Sequence, residues 1–391
     1  MLIITNLYNP LIYAYKSTML YNFCVLHYLY ITIIIIITIT FETSNASMKY
    51  ILKNKLENEF IKTKQDLITI LSKWPPKILK ILELHIKSGH FKGIQKVFNL
   101  CANNKNIIPI PIESNDFIFN QPNFCIKNTN LWILIIVHTH PNHRQKRDLI
   151  RSTWGSLNQV NNRKIGVLFF MGISNNFKEQ KQVEEEEEIY GDIVQRAFLE
   201  HYYNMTRKHI SVMEWISAGY CNKVPFLVKA DDDTFIDIFH LTSYLEMKQT
   251  DLHGTFYCSA TAHVKVERPG GAKHSKWEIT NKEYPENEFP TYCEGFGYVM
   301  DMKLAPYLYW CSMFQPSIWI DDVYMTGILA KRLGIPRIPF QSGHSYYNLQ
   351  PGREVGSIAD FIFLISLYNE FYPLTFQDMW REAVTYSMQI D

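Results

Sequence analysis

Apolar residues along this chain fall into three kinds of pattern. The first is one long run. Residues 19–41 are almost wholly apolar and contain no Asp, Glu, Lys or Arg. About 20 such residues span a bilayer, whereas the apolar part of a cleaved signal is about 7–15 residues long. The run is expected to be a single membrane-spanning helix, with residues 1–18 ahead of it as a cytoplasmic tail. Lys16 before the run and Glu42 after it agree with a cytoplasmic N-terminus. The second pattern is helical spacing. Ile51, Leu52, Leu56, Phe60 and Ile61 follow it, Trp74-Pro75-Pro76 interrupts it, and it resumes over 78–100. Pro109 and Pro111 mark a further break, so residues 42–125 read as a partly helical stem. An amphipathic helix is also predicted over 203–218. The third pattern is the short continuous apolar run. Residues 131–137, 165–172 and the stretch from Phe226 read as strands buried on both faces, and 190–194 as a short strand or turn. Strands alternating with helices predict a parallel, doubly wound α/β sheet, here in a domain over 126–391.

Charge and cysteine usage narrow the setting. The net charge of +1 on 391 residues gives no reason to expect nucleic acid or another polyanion as a partner. Of the seven cysteines, Cys24 lies in the apolar run. Cys101, Cys125, Cys221, Cys258, Cys293 and Cys311 remain, an even number that suits an oxidising compartment. Their spacing alone fixes no pairing and forms no C-x-x-C zinc pattern. Asn45-Ala46-Ser47 and Asn204-Met205-Thr206 match the N-glycosylation pattern. Residues after Phe41 are therefore expected in the secretory lumen.

The candidate chemistry centres on Asp231-Asp232-Asp233, which ends the apolar stretch from Phe226. Adjacent carboxylates repel, and a buried strand end is a costly place for them. The stretch reads as a site for a hard divalent cation and a diphosphate at a strand tip, or as an acidic surface turn. Arg147 and Arg151 are four residues apart, on one face of a helix that opens just after a strand. They suit a phosphate, or form an exposed basic face. His138, His140 and His143 lack the usual zinc-ligand spacing and read as a proline turn. The acidic run 184–188 reads as a solvated helix face without chemistry.

Five segments in order carry a resemblance. They are Arg144 to Gly155; Tyr190-Gly191-Asp192-Ile193-Val194 with Tyr203-Asn204-Met205-Thr206-Arg207-Lys208; Val228-Lys229-Ala230-Asp231-Asp232-Asp233-Thr234-Phe235; Tyr284-Pro285 with Pro290 to Val299; and Asp321-Asp322-Val323-Tyr324-Met325-Thr326-Gly327. In these the chain resembles the β-1,3-galactosyltransferase family, glycosyltransferase family 31. The resemblance implies a Rossmann-like GT-A domain, anchored in the Golgi membrane as a type II protein. It implies inverting transfer of a hexose from a UDP-sugar to a glycan acceptor, with Mn²⁺. Galactose is the expected donor sugar. N-acetylglucosamine, N-acetylgalactosamine or a catalytically silent binding protein of the same fold are the alternatives. Asp231 and Asp233 match the metal ligands, Asp232 and Lys229 the donor side, and Asp322 the catalytic base. Asp321 stands where the family usually has glutamate. Trp277, Gly295, Phe296 and Gly297 would line the cleft, the glycines in a tight turn. A late family histidine that contacts the metal has Phe371 or Tyr372 near its position, and His344 is the candidate to replace it. Similar cysteines in the family suggest that Cys125 pairs with Cys221. The oligomeric state is left open.

Overall fold

The computed structural model describes residues 100–101, 117–248, 253–270, 276–340, 346–348, 361–365 and 376–390. The expected span 19–41, the helical stretches at 51–61 and 78–99, Asn45, His344, Phe371 and Tyr372 lie outside them. Among the described residues no helix is long and apolar enough to cross a membrane.

In chain order the strands and longer helices are β1 (Phe117–Phe119), β2 (Leu131–His138), α1 (Arg144–Ser152), β3 (Gln159–Val160), β4 (Arg163–Ile173), α2 (Phe177–Tyr190), β5 (Ile193–Leu199), α3 (Met205–Ser217), β6 (Phe226–Asp231) and β7 (Thr234–Ile236). There follow α4 (Ile238–Lys248), β8 (Phe256–Thr261), β9 (Tyr292–Asp301), α5 (Ala305–Ser312), a π-helix (Val323–Leu329), β10 (Arg337–Pro339), β11 (Tyr346–Asn348), β12 (Phe363–Ile365) and α6 (Phe376–Ile390).

The main sheet runs β1-β5-β4-β2-β6-β9-β8-β10, with β3 added beside β4. Strands β5, β4, β2 and β6 are parallel, as alternating strands and helices require. The sheet as a whole is mixed, not parallel throughout, because β9 runs antiparallel between β6 and β8. Gly295 and Gly297 therefore lie inside a strand and not in the expected turn. Bare backbone is needed there: a Cβ on Gly297 would sit 2.8 Å from the Phe363 ring of β12. That ring belongs to a second, three-stranded sheet, β11-β12-β7. Every residue of β2 is buried, and Ile133, Ile135, Val137, Phe169, Val228 and Phe235 share one core. Helix α3 is buried on nearly all sides and packs on α5. Three disulfides fasten the domain: Cys101–Cys311, Cys125–Cys221 and Cys258–Cys293, the last tying β8 to β9.

Arg147 and Arg151 are not free for a phosphate. Arg147 is 0% exposed, and its guanidinium grips both carboxylate oxygens of Glu186 at 2.8 and 2.6 Å. It also donates to the carbonyls of His140 and Pro141. Arg151 shares Glu186 at 2.7 Å, bonds both oxygens of Asp192, and lies over the Tyr190 ring. Glu186 belongs to the acidic run expected to be solvated; it is buried as the shared partner of two arginines. The cluster pins α1 to α2 and holds the turn after β2, which borders the strand tips.

Replacing Glu186 with alanine would strip a buried guanidinium of its carboxylate, a change that costs about 3–5 kcal/mol. Urea denaturation of the purified protein should show a loss of that size. A loss below about 1 kcal/mol would mean that the backbone carbonyls alone satisfy Arg147.

Candidate active site

The C-terminal ends of β2 and β6 lie side by side, with His138 in register with Asp231. The three aspartates diverge from there. Asp232 turns into the protein and is 6% exposed. It accepts hydrogen bonds from Thr139 Oγ1 at 2.7 Å, His143 Nδ1 at 2.7 Å and Lys146 Nζ at 2.9 Å. Burial pushes its pKa up, but His143 and Lys146 outweigh that and hold it well below the usual carboxylate range. Asp232 was expected at a ribose or sugar. Its oxygens are already engaged, and it serves as the pin of the His140–Lys146 segment.

Asp231 and Asp233 are more exposed. Asp233 is half exposed, 3.6 Å from Lys146 Nζ. Asp231 is pushed up to about 6 by burial, with Asp233 and Asp321 adding repulsion against the pull of Lys229. Lys229 is 2% exposed and donates to Asp231 Oδ1 and to the Gly295 carbonyl. Burial works against its ammonium, but Asp231 and Asp321 outweigh that and hold it charged.

The chain reaches the same place again at Asp321 and Asp322, which lead into the π-helix. Single π-turns of this kind often mark functional sites. Asp322 Oδ1 caps the helix by accepting from the Val323 N–H at 2.7 Å. Its Oδ2 faces β9, where a Cβ on Gly295 would lie only 3.2 Å away. Gly295 thus keeps room beside this carboxylate. Burial, followed by the neighbouring Asp321 charge, pushes Asp322 up to about 7. Asp321 moves the opposite way. It accepts from His209 Nδ1 at 2.9 Å, and His209 and Lys229 lower its pKa against the effect of burial.

The remaining cleft residues separate into two groups. Phe296 turns from the carboxylates toward the core, its ring 6.3 Å from Phe363. Trp277 is exposed; its ring lies 4.6 Å from Lys276 Nζ, and its indole hydrogen-bonds Tyr202. The Tyr202 phenol is pushed up by burial and by the charges of Asp321, Asp322 and Asp231. Trp319 stands 5.6 Å from the Tyr202 ring and 5.0 Å from Tyr203. Tyr202, Trp319 and His209 were not singled out from the sequence. Only their pattern of neighbours in space marks them. Asn204 opens α3 with its amide donating to the Leu199 carbonyl, and Thr206 of the same sequon is buried with its hydroxyl on the Ile318 carbonyl.

A galactosyltransferase family model matches residues 145–341, half of the chain and nearly all of the site just described. The chain belongs to the galactosyltransferase family. Human β-1,3-galactosyltransferase 1 is 31% identical over 252 residues, covering 64% of this chain and 75% of that protein. Human β-1,3-galactosyltransferase 5 is 29% identical over 279 residues, covering 69% and 86%. Among solved structures, a galactosyltransferase in complex with donor and acceptor sugar analogues aligns over 64% of this chain and 95% of that one, at 8% identity and a TM-score of 0.34. This galactosyltransferase-family chain is a hexosyltransferase, and its paired aspartates are the groups available for acid–base work.

Asp322 carries a pH signature in stability. Its folded pKa of about 7 lies above the unfolded value of roughly 3.9. A raised carboxylate favours the folded state at low pH, and that contribution is lost as pH climbs from about 4 to about 7. Asp322→Asn removes the penalty of the buried charge. Thermal melts in the presence of chelator should show the variant more stable than the parent at pH 8, with the gap closing toward pH 4. A variant that melts below the parent at pH 8 would place Asp322 in a charge-stabilising contact instead.

Proposed function

We propose that this protein is an inverting, metal-dependent β-1,3-galactosyltransferase that moves galactose from UDP-galactose to a glycan acceptor. It acts from the Golgi membrane, held by the span at residues 19–41, with its GT-A catalytic domain in the lumen. The observation that carries the reading is Asp322: a partly buried carboxylate raised to about 7, facing Gly295 of β9 and next in sequence to a second carboxylate that is held charged.

A general base works best with a pKa near the ambient pH. Asp322 takes the proton of the acceptor hydroxyl as that oxygen attacks the anomeric carbon. The C–O bond to the acceptor forms on the face opposite the C–O bond to UDP, which breaks with its electron pair leaving on the diphosphate, and one displacement inverts the centre. Asp321, braced by His209, stays charged and orients the acceptor. Trp277 and Tyr202 offer aromatic faces to the apolar side of a sugar ring, within electrostatic reach of the base.

The donor side fits a hard cation. Asp231 and Asp233 flank the inward-turned Asp232, and Asp231 is raised by burial first and by Asp233 and Asp321 after it, against the pull of Lys229. Oxygen ligands of this kind suit Mn²⁺ or Mg²⁺. Asp231 and Asp233 would hold the ion, which neutralises the diphosphate charge. Lys229 balances the carboxylates behind them.

The test uses detergent-solubilised full-length protein, a panel of UDP-sugars and single-turnover transfer rates. UDP-galactose should be the sugar consumed. Asp322→Asn should lose about 10²–10⁴ in transfer rate while keeping UDP affinity. Asp233→Ala should lose the metal-dependent part of UDP binding, measured by calorimetry. If Asp322→Asn transfers within a few-fold of the parent, the base lies elsewhere. Consumption of another UDP-sugar in place of UDP-galactose would overturn the donor assignment alone.

A further inference from the structure

Asp321 has a second neighbour besides His209. His138 ends β2, His209 sits on α3 and Asp321 leads into the π-helix, and one ligand atom from each comes within 4.8 Å of the others. Asp321 Oδ2 is 2.9 Å from His209 Nδ1 and 4.0 Å from His138 Nδ1. The two imidazoles meet edge to face at 5.0 Å. His138 is 3% exposed, and neither of its ring nitrogens has a hydrogen-bond partner. A buried polar atom left unpaired costs about 1–3 kcal/mol. One ring with two such atoms, aimed beside a carboxylate, points to a missing ligand.

We propose that His138, His209 and Asp321 bind a transition-metal ion of the zinc type, at a site separate from Asp231 and Asp233. Two imidazole nitrogens and one carboxylate oxygen favour Zn²⁺ or Co²⁺ over Mg²⁺ or Mn²⁺. Metal–ligand bonds of about 2.0–2.2 Å set tetrahedral ligand atoms roughly 3.2–3.6 Å apart. The observed separations bracket that range, so small side-chain shifts admit the ion. Without the ion His209 Nδ1 donates to Asp321; binding moves that proton to Nε2, which then donates to the Tyr298 hydroxyl as the outer bond of a ligating histidine and leaves the Nδ1 lone pair for the metal. Burial together with Lys229 and Lys208 keeps His138 neutral, the form that has a lone pair to give. Neither lysine blocks the site by charge alone. Lys208 is paired with Glu200 at 2.8 Å, and Lys229 with Asp231. Three protein ligands leave a fourth position for water. The ion takes no part in transfer; it clamps Asp321 to β2 and α3, next to the base.

Cobalt is the probe. Full-length protein, stripped with chelator and solubilised in detergent, is titrated with Co²⁺ and read by visible d–d absorption. One ion per chain should give an intense tetrahedral-type band that Zn²⁺ displaces and Mg²⁺ does not. His138→Gln and His209→Gln should each weaken that band by at least tenfold in affinity, and Asp233→Ala should leave it intact. Absence of the band in the parent protein overturns the proposal without reference to any variant. A band kept by both histidine variants, or lost in Asp233→Ala, also overturns it and assigns the cobalt elsewhere. None of these readings depends on the sugar donor or on activity.

Discussion

Lys229 is the charge on which the site depends. It is a buried ammonium on a central strand, and Asp231, Asp321 and Asp322 all lie within its field. Remove it, and three acidic groups share a water-poor space without a fixed cation. Burying one unpaired ion costs several kcal/mol, so such a cluster would protonate or rearrange. With Lys229 in place one carboxylate charge is answered, and the rest sets the requirements of the cleft. The cation proposed at the strand tip would satisfy one of them. A proton held by Asp322 at neutral pH satisfies another. The β6–β9 pairing is what makes this possible, because the ammonium also reaches the Gly295 carbonyl across the strands.

Around that charge stands a shell that holds the strand tips still. The turn after β2 is fixed from two sides. Arg147 takes its carbonyls on one side, and Asp232 takes Thr139, His143 and Lys146 on the other. Lys208 adds a bond to the Thr139 carbonyl. Each of these groups is saturated by protein partners. That saturation is why they hold position, and why they are poor places for a ligand. The carboxylates whose protonation is disfavoured least or whose contacts are fewest are Asp231 and Asp322, both raised, and the half-exposed Asp233, and these define where chemistry can occur.

This division was only partly legible in the sequence. Strands β2, β4 and β6 show as continuous apolar runs because both faces are covered, and Asp231 to Asp233 stand out at the end of such a run. β9 did not show as a strand. Glu294, Gly295 and Gly297 break its apolar pattern, and the reason for each glycine is a neighbour far along the chain, Asp322 for Gly295 and Phe363 for Gly297. Arg147 looked available because its partner, Glu186, sits 39 residues away in a run that reads as solvent-facing. The same holds for His138 and His209. His138 reads as part of a proline turn and His209 as one more position of a helix, and only the convergence of β2, α3 and the π-helix on Asp321 brings them together.

The two adjacent aspartates illustrate how one fold separates roles that sequence treats alike. Asp321 and Asp322 are chemically identical and bonded neighbours, so a difference between them must come from what each faces. Asp321 has the His209 N–H and the stronger share of the Lys229 field, which favour its charged form. Asp322 has one backbone N–H, a dry setting and the charge of Asp321 itself, which disfavour its own. The ordering is self-reinforcing: the more firmly Asp321 stays ionised, the more Asp322 resists losing its proton. Anything that grips Asp321 tightens this split, and His209, held in turn by Tyr298, is the first such grip. The Asp321 carboxylate lies back against α3, on His209. The histidine behind Asp321 thus leaves Asp322 as the carboxylate that faces Gly295 of β9.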